Sequence, residues 1–235
     1  MLPVSNREQS YRSVTSTSRA MGEKLALLSE AVAGCCLTKP RERIVSSARE
    51  LFHRYGIRSI GVEAIAEAAG TNKMTLYRHF GSKDDLICEC LKSVARDIEG
   101  LWAEIEAAHP GDPLAQLHDW VRRCADCVLN DGRGCDLANA AVELTEADHP
   151  ARKLIEDVKR DHRNRLAALC AAAGAAQPEL LADTLSLLLE GARVSRQSVG
   201  AEGPSARFVR MSEAIIASFA RAIEPARVAP GPVRS

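Results

Sequence analysis

From Pro40 onward the apolar positions repeat with helical spacing. Ile44, Ala48, Leu51, Phe52 and Tyr55 fall at i, i+4, i+7, i+8 and i+11, one face of a helix. Pro40 suits its first position and Gly56 its C-terminal cap. After a turn over 57–61, Val62, Ile65, Ala66 and Ala69 share a face at about 100° per residue, which predicts a second short helix over 62–69, ended by Gly70. Thr71 or Asn72 can cap a third, Lys73–Phe80, whose buried face is Leu76 and Phe80. Gly81 stops that helix, and Ser82 caps a longer one beginning at Lys83. His109-Pro110-Gly111 closes it, and further breaks predict helices over 113–129, 135–147, 151–173, 178–197 and 204–222. Val, Ile and Thr are scattered among Ala and Leu without useful alternation, so the expected fold class is all-α.

At 235 residues and 46% hydrophobic, the chain can bury a sizeable core, which excludes disorder throughout. No stretch approaches the roughly 20 apolar residues of a membrane helix. Residues 1–20 have no apolar central region, so no signal peptide is expected and the protein is placed in the cytoplasm. Eight cysteines there imply reduced thiols. The net charge of zero conceals an asymmetry: 14 Lys and Arg against 10 Asp and Glu up to Lys92, and 17 against 21 beyond it. A basic front on an acidic back is a weak pointer to nucleic-acid binding by the front. The expected organisation is an extension over 1–39, one helical domain over 40–88, a second helical domain over 89–224, and a disordered tail over 225–235.

Two short helices joined by a tight Gly-containing turn, with small Ala66 on the inner face of the first, suit a helix-turn-helix whose second helix enters the major groove. With Leu76 and Phe80 inward, the angles put Met74, Thr75, Arg78 and His79 outward and Lys73 and Tyr77 at the flank. This outward set has the chemistry to read bases and phosphates, and by pattern alone it is equally a solvated face. Arg43-Ile44-Val45, Ala48, Leu51-Phe52, Gly56, Ile65 to Gly70 and Thr75 to Leu86 together resemble the N-terminal domain of the TetR family of transcriptional repressors. The resemblance spans about 40–91 and implies a homodimeric, all-helical repressor that binds a palindromic operator and leaves it when a small-molecule inducer binds the C-terminal domain. It also implies that Lys73, Met74, Thr75, Tyr77 and His79 face DNA and that Lys83 contacts phosphate through its ammonium and its helix N-terminus. Where the family has Ser or Thr to cap the second helix, this chain has Gly61, for which Ser59 is a candidate substitute. Glu63 is either a cytosine-amine acceptor or solvated. In the long extension, Arg7, Arg12, Arg19 and Lys24 either track DNA or are idle.

Farther back, Leu180, Leu181, Leu185, Leu187, Leu188 and Leu189 surround one helix with apolar surface, and Phe208, Met211, Ile215 and Phe219 form a stripe on the last. The resemblance implies a two-fold four-helix bundle from these helices, with Leu181, Leu185, Leu188, Phe208, Met211, Ile215 and Phe219 at the dimer interface. Trp102, Trp120, Cys124, Asn139 and Glu143 combine bulk and polarity and are the candidates for a ligand pocket. Cys124 and Cys127 make a Cys-x-x-Cys without a second paired motif, so neither metal nor cofactor is expected, and a redox- or metal-responsive regulator is the alternative. His162 lies amid charges and adds nothing to that alternative. No nucleophile elbow, phosphate loop, dinucleotide fingerprint or His-Glu-x-x-His occurs, so an enzyme is not expected.

Overall fold

The computed structural model describes residues 39–221. The expected N-terminal extension, with Arg7, Arg12, Arg19 and Lys24, and the expected C-terminal tail lie outside these residues. Among the described residues all regular structure is helical: α1 (Pro40–Tyr55), α2 (Val62–Ala68), α3 (Lys73–Phe80), α4 (Lys83–Ala108), α5 (Pro113–Asn130), α6 (Asp136–Glu143), α7 (Pro150–Ala172), α8 (Pro178–Val199), a 3-10 turn (Pro204–Arg207) and α9 (Phe208–Arg221). By contact the chain divides after Cys90, within α4.

Local chemistry places most of these boundaries. Proline opens α1, α5, α7 and α8, where its missing N–H costs no helical hydrogen bond. Asn72 Oδ1 accepts from the Thr75 N–H at 2.9 Å, Ser82 Oγ from that of Asp85 at 3.0 Å, Asp112 Oδ1 from that of Ala115 at 3.0 Å and His149 Nδ1 from that of Ala151 at 3.1 Å, so each of these helix starts has a side-chain cap. Helix α6 is shorter than the predicted 135–147. Its carbonyls give out at Leu144, whose oxygen accepts from Arg152 Nη1 at 2.7 Å, and the chain turns instead of continuing. The last predicted helix, 204–222, begins as the 3-10 turn and becomes α-helical only at Phe208.

In the first unit, Ile44, Ala48, Leu51, Ile60, Ile65, Leu76 and Leu86 are buried in one apolar core. In the second, the core is built around Trp120, with Leu117, Val121, Leu166, Cys170, Leu181, Leu185 and Phe208. His118 Nδ1 meets Glu213 Oε2 at 2.6 Å, tying α5 to α9 beside that core. None of the described helices is long and apolar enough to cross a membrane.

Candidate functional site

The turn between α2 and α3 sets the angle of α3. Thr71 N–H donates to Ala66 O at 2.9 Å and Gly70 N–H to Glu67 O at 3.0 Å, a Schellman closure that requires a left-handed residue between them. Gly70 supplies it with φ +60°. Ala66, almost fully buried, keeps the inner face of α2 flat enough for α3 to cross close by. Arg43 Nε donates to Ala69 O at 3.2 Å, and Arg41 pairs with Glu89 at 3.0 Å while lying over the Phe80 ring. The two-helix unit is thus clamped from α1.

On this frame α3 buries Leu76 and Phe80 and exposes Lys73, Met74, Tyr77, Arg78 and His79, with Thr75 half-buried. Met74, at 79% exposed, is an apolar side chain standing in water on the outer face. Lys73 is not free on that face. Its Nζ lies 2.6 Å from Glu63 Oε1 on α2 and over the Tyr77 ring, so each charge stabilises the other: the Glu63 carboxyl is held below its usual range and the Lys73 ammonium above its own. Glu63 is therefore neither simply solvated nor unengaged. Lys83 also has protein partners, since its ammonium donates to Ile57 O at 2.7 Å and sits over the Phe52 ring. Ser59 Oγ donates to Tyr55 O and, at 3.2 Å, to Gly56 O, so its proton is committed to the end of α1 and does not stand in for a hydroxyl at Gly61. Gly61 caps α2 through its backbone alone, at φ −85°.

A cavity of about 380 Å³ lies in the second unit. Ile98, Leu101, Leu137, Val158, Leu187 and Leu189 give it apolar walls, and Lys159, His162, Glu190 and Arg193 form a polar side. Of the predicted pocket residues, Cys124 lines it. Trp102 and Trp120 stand behind the wall: their rings stack at 6.5 Å, both lie against His162, and Trp102 Nε1 donates to His162 Nδ1 at 3.2 Å. Asn139 and Glu143 are not among the lining residues, and Asn139 Nδ2 is used on Arg133 O at 2.8 Å, closing the loop before α6. His162, set aside on sequence, is thus central. Burial first, and then Lys159 and Arg193, push its pKa down to about 4, so it is neutral at pH 7. Lys159, Glu190 and Arg193 were missed as well, because on their own helices they read as ordinary solvated charges.

Cys127 and Cys135 also line the cavity. Burial pushes the Cys124 and Cys170 thiols up to about 12, which makes them poor nucleophiles. Among the described residues no three His, Cys, Asp or Glu converge on a metal-sized point.

The dimer assignment needs correcting at three positions. Leu181, Leu185 and Phe208 are fully buried in their own core and have no surface left for a partner. Leu188, Ile215 and Phe219 pack only partly against that core, and Met211 is half-buried. The open face of α8 is instead the stripe Leu180, Leu187, Gly191 and Val194.

Comparison with known proteins bears on the first unit most directly. Residues 44–90 match the family model described as bacterial regulatory proteins, tetR family. Residues 44–90 thus belong to the tetR family of bacterial regulatory proteins. The HTH-type transcriptional regulator AcrR of Shigella flexneri is 37% identical over 93 residues, 40% of this chain and 43% of that protein. The HTH-type transcriptional repressor KstR2 of Rhodococcus jostii is 37% identical over 68 residues, 29% of this chain and 33% of its own. These matches thus span less than half of either relative. Among solved structures, SCO4454, a TetR-family transcriptional regulator from Streptomyces coelicolor, superposes with a TM-score of 0.69 at 25% identity, covering 77% of this chain and 96% of its own. A putative TetR-type transcriptional regulator from Streptomyces avermitilis gives 0.63 at 28% identity over 77% and 98%. The helical second unit is therefore part of the fold shared with these two structures. Proteins of this family are regulators of transcription, not enzymes.

Proposed function

We propose that this TetR-family chain is a repressor that binds a palindromic operator as a homodimer in the cytoplasm and leaves it when a small molecule occupies the cavity of the second unit. The observation that carries this reading is the outer face of α3, where Met74, Tyr77, Arg78 and His79 are exposed on a helix held from α1 through Arg41 over Phe80, beside the Arg43 to Ala69 hydrogen bond. Such a helix can lie in a major groove, and two of them in a dimer would be spaced by roughly 34–36 Å or a multiple of it. Residues 40–88 then read DNA and 89–224 hold the effector and the partner subunit, with Lys73, Thr75 and Lys83 completing the DNA-facing set. Lys83 acts through its helix N-terminus, since its ammonium already holds Ile57 O. The dimer face is the Leu180, Leu187, Val194 stripe with Leu188, Met211, Ile215 and Phe219 beside it. Selection from a random duplex pool, repeated across a salt series, tests the reading. A palindromic consensus with a steep salt slope supports it, and no enrichment overturns it. In that assay Thr75→Ala and His79→Ala should each cost about 1–3 kcal/mol at particular base pairs.

A second reading, a thiol-responsive regulator, is favoured by one contact: Lys159 Nζ lies 3.6 Å from Cys135 Sγ in the cavity wall. Loss of operator binding on peroxide treatment, restored by added thiol, would select it over the first.

A further inference from the structure

The walls of the cavity are apolar, but the charges along its polar side do not cancel. Arg163, also a lining residue, pairs with two carboxylates, Glu179 and Asp183, the latter at 2.6 Å, so its charge is more than matched. Lys159 and Arg193 are matched less well. They share Glu190, the one carboxylate among the described residues lining the cavity: Lys159 Nζ lies 2.5 Å and Arg193 Nη1 3.2 Å from the same Oε1. Lys159 also points a hydrogen at the Cys135 sulfur, a weak acceptor. Two cations on one anion leave one positive charge beside an apolar chamber, where an unmatched charge is costly. His162 registers that field, since the cations beside it depress its basicity more than Glu190 raises it.

We propose that the effector of this cavity is an amphipathic monoanion, an aliphatic or aromatic body ending in a single carboxylate, with its tail among Leu101, Val158 and Leu189 and its head between Lys159 and Arg193. This rests on the reading of the cavity as the effector site and adds the class of the effector. A volume of about 380 Å³ is within the range of roughly 300–1,000 Å³ usual for small-molecule sites. The head completes a two-cation, two-anion cluster, and the tail displaces water from apolar walls. A neutral analogue gains only the second, and a cationic one meets the excess positive charge directly.

The chain's two tryptophans both lie against His162 in the cavity wall, so their fluorescence reports occupancy without any DNA present. The probes are decanoate, 1-decanol and decylammonium, which share a ten-carbon tail. Decanoate should bind at least about tenfold more tightly than decanol, the worth of one charge-assisted hydrogen bond, with decylammonium weakest. Arg193→Gln and Lys159→Met should each abolish the preference for decanoate while leaving decanol binding in place, and Arg193→Lys should keep most of it. Equal or tighter binding of decanol or decylammonium overturns the proposal, as does a preference that survives both neutralising variants or the absence of saturable binding by all three. Operator retention is measured separately. Decanoate that binds selectively without releasing DNA refutes the inducer reading and leaves the ligand class standing, whereas DNA binding without anion selectivity does the reverse.

Discussion

Replacing Glu63 by Gln should tighten operator binding and steepen its salt dependence. Glu63 and Lys73 are 2.6 Å apart with side chains 67% and 52% exposed, so the pair is held by charge in open water and opens readily. Where the proposed duplex would lie, the pair has two effects: the Lys73 cation is already matched, and a carboxylate faces the phosphates. Gln keeps the shape of the side chain and its acceptor oxygen but removes the charge. Each phosphate neutralised by a lysine changes the slope of log K against log salt by about −0.9, so one freed Lys73 per subunit adds about −1.8 for a dimer. Over a fourfold rise from roughly 50 to 200 mM salt, this amounts to about a 12-fold extra loss of affinity. Fluorescence anisotropy of a labelled operator duplex across that range measures it. Glu63→Gln should bind more tightly at low salt and approach wild type at high salt, and adding Lys73→Met should restore the wild-type slope. Parallel slopes for wild type and Glu63→Gln would refute the electrostatic argument. Weaker binding confined to sites carrying one particular cytosine would assign the carboxylate a base-reading role instead.

Acid should destabilise the second unit through His162. Its pKa of about 4 in the folded chain lies below the 6.5 of an ordinary imidazole, so between these values the unfolded chain binds a proton that the folded one does not. Stability is complete above pH 6.5 and is lost as pH falls toward 4, by about 3 kcal/mol at most. Urea unfolding at pH 7 and 4.5 should show a smaller pH effect in His162→Gln, and equal pH effects in the two proteins would contradict this. Gly61→Ser should raise the melting temperature slightly, worth a few tenths of a kcal/mol of capping, and tighten DNA binding. The backbone at φ −85° accepts any residue, and the added Cβ would meet only the end of the Glu63 side chain at 3.3 Å; a lower melting temperature would show that this carboxylate cannot give way. Val194→Glu, at a position 61% exposed in the single chain, should convert dimer to monomer in sedimentation without loss of helicity by circular dichroism. A dimer that persists moves the interface off this stripe.

Apart from the end of α6 and the start of α9, the helices and their ends were legible in the chain because most helix boundaries are set by residues within a turn of one another. Asn72 and Ser82 each accept from a backbone N–H three positions on, Pro40 and Pro178 fix their own φ at the first position of their helices, and Lys73–Phe80 was legible to the residue for such local reasons. The outer face of α3 was legible as well, since Leu76 and Phe80 stand four apart on an eight-residue helix and so mark one inner side. The α8 register was not. With leucines on every side of that helix, periodicity cannot say which of them are inward, and packing against Trp120 and Phe208 took Leu181 and Leu185 inward, leaving Leu180 and Leu187 at the surface. The cavity charges were out of reach for a related reason: Lys159 and Glu190 are 31 residues apart on different helices, so their match, and the cation left over, exists only once α7 and α8 are packed together. Glu63 and Lys73 likewise meet across a turn, through an angle held by Gly70 and the Thr71 to Ala66 hydrogen bond. Local chemistry thus laid out the helices, while the pairing of charges and the choice of inward leucines followed from long-range packing, in which a residue's partners are set by distance in space.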